Sequence, residues 1–115
     1  MLSLAGVEDE SMESPISVWI DEDIAELIPG YMGRRREDLA ELSASLEHGE
    51  FDRITGIGHS LKGSGGGYGF TGISEIGRNL EQYASLRDEV RVKECVELLE
   101  HYLNTVEISV KPCGR

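Results

Sequence analysis

Six apolar residues towards the C-terminal end of the chain, Val92, Val96, Leu99, Leu103, Val106 and Val110, follow one another in alternating steps of four and three. An α-helix, at 3.6 residues per turn, gathers that spacing into a single face. Shorter versions of the pattern precede it: Leu39, Leu42 and Leu46; Phe51, Ile54, Ile57 and Leu61; Ile73, Ile76, Leu80 and Tyr83. Helices are therefore predicted over residues 22–47, interrupted at Pro29-Gly30, then over residues 50–68, from about Thr71, and from about Asp88. Asp21 suits an N-cap and Gly49 a helix stop. Residues 16–20 read as a short strand or turn, and no segment shows a convincing period-two alternation of strand length. Amphipathic helices joined by short connections bury their faces best against one another. The expected fold is all-α, an antiparallel four-helix bundle with an additional short N-terminal helix. It would span residues 16–110, after a flexible acidic leader (1–15) and before a C-terminal tail (111–115).

One of these helices carries a handicap. Seven of the chain's 14 glycines fall between Gly56 and Gly69, and each in a helix interior costs up to about 1 kcal/mol relative to alanine. At ~100° per residue, His59 lies roughly 160° from both Ile57 and Leu61, so it points away from the apolar face. Gly56, Lys62, Gly63 and Gly66 lie within about 60° of the His59 direction. An outward imidazole thus stands on a strip without side chains, beside one ammonium. Gly65 and Gly67 are less clearly part of the strip, and some of these glycines could instead ease helix packing.

Neutral imidazole is a nucleophile near pH 7. Attack on a phosphorylated carboxylate needs in-line access and neutralisation of the phosphoryl oxygens, and Lys62 is placed to supply the charge.

The run His59-Ser60-Leu61-Lys62-Gly63, followed by small residues and Gly69, resembles the signature of histidine-containing phosphotransfer (HPt) domains. The flanking helix pattern extends the likeness over residues 16–110. The resemblance implies a phosphorelay intermediate of two-component signalling, with His59 exchanging a phosphoryl group with receiver-domain aspartates through Nε2. Lys62 would stabilise the phosphoryl charge, while Gly56, Gly63 and Gly66 would give a partner clearance to dock. The residue that orients the ring in relatives is a glutamine on the next helix; the matching register here falls on Glu81, with Gln82 one step on. Glu81 could accept the Nδ1 proton. No cofactor or metal is expected on this chain, since the Mg2+ belongs to the receiver. Partners would be response-regulator receiver domains, with a hybrid histidine kinase as a further candidate.

Composition removes several rivals. A formal net charge of -11 disfavours nucleic acid and anionic membrane surfaces. No run approaches the ~18 apolar residues of a membrane span, and Cys95 and Cys113 do not make a disulfide framework. The expectation is a cytoplasmic monomer. Gly67-Tyr68-Gly69-Phe70-Thr71-Gly72 matches GxGxxG but lacks the preceding strand that a dinucleotide fold requires. A Walker loop is absent, so the chain is expected to be a phosphocarrier and not an enzyme with its own kinase machinery. Residues three before His48, His59 and His101 are not glutamates, against a di-metal bundle. His48 is read as a helix cap, His101 as a surface or boundary residue, and Arg34 to Arg36 as a solvated face. The rival function is a receiver-binding adaptor of the same fold that carries no phosphate.

Overall fold

Apolar spacing and helix punctuation together set the architecture. In the computed structural model, which describes residues 16–112, four α-helices follow a short N-terminal segment: α1 (Ile28–Glu47), α2 (Phe51–Gly67), α3 (Thr71–Ser85) and α4 (Glu89–Thr105). The acidic leader and Cys113 lie outside the described residues. Pro29 sits in the first turn of α1, where its missing N–H is no loss. Asp88 caps α4, its side chain accepting a hydrogen bond from Arg91 N at 3.2 Å.

Helix α1 ends at Gly49, whose φ of 69° lets Glu50 N reach back to Ser45 O at 2.8 Å. Gly69 does the same for α2, with φ 90° and Phe70 N on Gly65 O at 2.8 Å. These are left-handed C-terminal turns that return unpaired carbonyls to hydrogen bonds. Helix α3 closes identically through Arg87 (φ 56°), a non-glycine in a conformation that costs about 1–2 kcal/mol.

The helices share one core, in which Leu42, Ile54, Leu61, Ile73, Leu80, Val92 and Leu99 are fully buried. Tyr31 stacks between Tyr68 and Phe70, with ring centroids 4.3 and 5.4 Å away. Cys95 is buried, as a small core residue should be.

Three expectations need correction. The additional N-terminal helix is a six-residue 3-10 turn, Glu22–Leu27, preceded by a strand β1 (Ile16–Asp21). Asp21 ends that strand and makes no side-chain capping bond. Helix α4 does not carry its seam to Val110: Val106 turns extended (ψ 133°) and opens a strand β2, Val106–Lys111. The two strands pair in parallel, Ile16 with Val106 through Asp21 with Lys111. A step of four satisfies a period of two as well as 3.6, so Val106 and Val110 fit either element. The β-branched alternation Val106, Ile108, Val110, with a partner strand at hand, decides for the strand. Val18 and Ile20 of β1 face the core, whereas Val110 is half exposed.

The third correction concerns Arg35. It is not on a solvated face but buried, with Nε on Asp38 at 2.9 Å, Nη1 on Ser64 Oγ at 2.9 Å and its guanidinium 4.6 Å from the Tyr31 ring centre. It ties α1 to α2 from beneath. Arg36 donates to Leu103 O at 2.9 Å, tying α1 to α4, while Arg34 is exposed.

Candidate functional site

Two sets of glycines shape α2. On its outer face a Cβ placed at Gly56, Gly63, Gly66 or Gly67 would meet nothing within 4 Å. His59 stands among them with its side chain 70% exposed. The strip around the imidazole is therefore open surface.

About a third of a turn around the helix, the second set does the opposite. A Cβ at Gly58 would fall 2.7 Å from Glu81 N, and one at Gly65 2.6 Å from Ser74 N. From the facing helix, a Cβ at Gly77 would fall 2.5 Å from Lys62 N. These distances are below any real Cβ contact, so the backbones of α2 and α3 touch only because all three residues lack a side chain. The pairing of Gly65 with Ser74 and of Gly58 with Glu81 also shows that the two helices run in opposite directions. Ser74 Oγ donates to Lys62 O at 2.7 Å and fixes the same contact.

Close approach delivers Glu81 to the histidine. Its Oε2 lies 3.0 Å from His59 Nδ1, and its Oε1 lies 2.8 Å from Lys62 Nζ. One carboxylate bridges the ring and the ammonium. The Lys62 hydrogen bond holds the Glu81 carboxyl below the usual carboxylate range; the little desolvation it suffers opposes this, and His59 adds a smaller lowering. Glu81 is thus an anion at neutral pH and can only accept hydrogen bonds. Its partner Nδ1 must then carry a proton, so that in the neutral ring the lone pair is the one on Nε2. Gln82 is exposed, and it is Glu81 that meets the ring.

Of the residues singled out from the sequence, His59, Lys62 and Glu81 come together, and Gly56, Gly63 and Gly66 lie on the open strip. Lys62 is committed to Glu81, not pointed into empty solvent. The sequence reasoning passed over Gly58 and Gly77, which bring α3 into contact. Their signal was present: Gly58 and Gly65 are seven residues apart on one face of α2, and Gly77 interrupts the apolar stripe of α3. It also passed over Trp19, 63% exposed, which shares a hollow of about 210 Å3 with Gly66, Gly67 and Gly69 at the far end of the strip. His48 caps α1, its Nδ1 2.8 Å from Ala44 O.

Among the described residues no group of three or more His, Cys, Asp or Glu could hold a metal ion, and no helix is long and apolar enough to cross a membrane.

Fold and site together define a class: a helical domain that displays an accessible imidazole, gripped at one nitrogen by a carboxylate. The chain belongs to the Hpt domain family, whose family model matches residues 31–109. Its members are phosphocarriers of two-component signalling that exchange phosphoryl groups on histidine with receiver domains. No curated protein and no solved structure matches the chain.

Proposed function

We propose that this chain is a phosphorelay carrier whose phosphoacceptor is His59 Nε2. A receiver docks on the open strip of α2 and presents its aspartyl phosphate to the ring. The Nε2 lone pair attacks phosphorus in line as the phosphorus–oxygen bond to the aspartate breaks. As phosphoryl oxygens arrive, Lys62 keeps one N–H on Glu81 and turns its remaining donors to them, supplying charge where it develops. The magnesium ion of the reaction belongs to the receiver, and the carrier needs neither cofactor nor ATP site. Gly56, Gly63 and Gly66 give the receiver clearance. Glu81 orients the ring.

The observation that carries this reading is the combination at one residue of a 70% exposed imidazole and a carboxylate 3.0 Å from its Nδ1. An adaptor that merely bound receivers would have no use for a clamped tautomer. We further read the helices as an antiparallel bundle acting as a cytoplasmic monomer. Incubation with a phosphorylated receiver tests the function. Acid-labile, base-stable label is expected on the wild type and none on His59→Gln; label that survives the substitution refutes the assignment.

A further inference from the structure

We propose that Glu81 keeps phosphorylated His59 protonated at Nδ1, so that this carrier discharges its phosphoryl group readily instead of storing it. The inference rests on His59 being the phosphoacceptor.

It follows from what a carboxylate can and cannot do. In the form of the ring that attacks, the proton is on Nδ1 towards Glu81 Oε2 and the lone pair is on Nε2. When Nε2 bonds to phosphorus, the electron pair of the broken phosphorus–oxygen bond leaves with the receiver's aspartate. No proton has moved, so the product is an imidazolium with a phosphoryl group on Nε2 and hydrogen on Nδ1. In water such a ring can lose the Nδ1 proton and become a neutral phosphoimidazole. Here the departing proton would leave a nitrogen lone pair facing a carboxylate oxygen 3.0 Å away, with no donor between them. Retaining it keeps a charge-assisted hydrogen bond. The charged groups in contact at the site are Glu81 from α3 and Lys62 from α2, and Glu81's low proton affinity keeps the carboxylate ionised.

The carboxylate is poorly able to turn aside. Lys62 Nζ holds its other oxygen at 2.8 Å, and the backbone of Glu81 is pressed against α2 at Gly58. A protonated ring is the better leaving group: the phosphorus–nitrogen bond breaks with its electron pair returning to Nε2, which restores the neutral Nδ1–H tautomer. Forward and reverse transfer then need no proton from solvent. A glutamine would behave differently, because its amide can turn an N–H towards an unprotonated Nδ1 and stabilise the neutral phosphoimidazole.

The test uses the whole chain loaded with phosphoramidate, which phosphorylates imidazole directly and releases ammonia, so no receiver is needed. Phosphohistidine remaining at neutral pH is followed by phosphorus NMR for the wild type, Glu81→Gln and Glu81→Ala. Circular dichroism checks that each variant folds. Both variants should lose phosphate several-fold more slowly than the wild type, and Glu81→Gln should shift the exchange equilibrium with a receiver towards histidine by a similar factor. Nitrogen-15 shifts of the loaded wild-type ring should report a protonated Nδ1 at neutral pH. Equal or faster decay in Glu81→Gln, or an unprotonated Nδ1 in the loaded wild type, overturns the proposal. Failure of the relay reading looks different: His59 would load from phosphoramidate while no receiver exchanged phosphate with it.

Discussion

His59, Lys62 and Glu81 form a chain of contacts through one carboxylate, and the ion pair within it has a pH signature. Glu81's proton affinity is lowered chiefly by the Lys62 hydrogen bond, so it binds a proton less readily folded than unfolded. Its contribution to stability is complete above the ordinary glutamate range and disappears as the pH falls through the lowered value. Thermal unfolding of the wild type and Glu81→Gln should therefore show a difference in melting temperature that is largest near neutrality and shrinks in acid. A difference that grows in acid would show that the pair is not formed. How much of this was legible in the sequence depends on whether one helix or two were involved. The outward direction of His59 and its nearness to Lys62 follow from rotation about a single axis. The grip of Glu81 on both depends on where a second helix lies, and spacing supplies only its register. Arg35 was misjudged for the same reason: its partner Ser64 belongs to another helix.

At the level of elements, glycine has two opposite uses within α2 and α3, and one substitution separates them. Gly63→Ala enters open space and should stabilise the fold by about 0.5–1 kcal/mol through helix propensity. Gly77→Ala drives a methyl group into the backbone of Lys62 and Gly58 and should destabilise it by roughly 1–3 kcal/mol. Urea denaturation of the two variants checks the sign; two shifts in the same direction would contradict the packing described. Gly63→Leu should leave the bundle folded by circular dichroism yet hinder phosphoryl transfer, and normal transfer would show that the strip is not where receivers dock. The composition of the run flagged α2 as unusual. It could not sort the glycines, because propensity penalises all alike and only the neighbouring helix separates Gly58 and Gly65 from Gly63 and Gly66. Helix boundaries were better served, since Gly49, Gly69 and Asp88 act locally. The α4–β2 transition was lost because two periodicities coincide at Val106 and Val110.

Across the whole molecule, the open strip runs from His59 towards the β1–β2 ribbon, where Trp19 is exposed beside Gly66 and Gly67. On the proposed docking mode, a receiver covering the strip would meet this exposed indole at its far end. Trp19→Ala should slow exchange with a receiver several-fold while leaving loading from phosphoramidate unchanged; equal effects on both would assign the indole a structural part only. The ribbon was half legible. Residues 16–20 announced an extended piece, but its partner lies about 90 residues away and comes from the end of a helical pattern.

Its parallel sense has a mechanical consequence. Ile16 lies opposite Val106 and Asp21 opposite Lys111, so a pull on the chain before Ile16 and after Lys111 drags the strands past each other lengthwise. The ladder between them is then loaded in shear, all its rungs at once, and cannot be unzipped rung by rung. Tension transmitted through either end meets this clamp before it can reach the helices that hold His59 and Glu81 together.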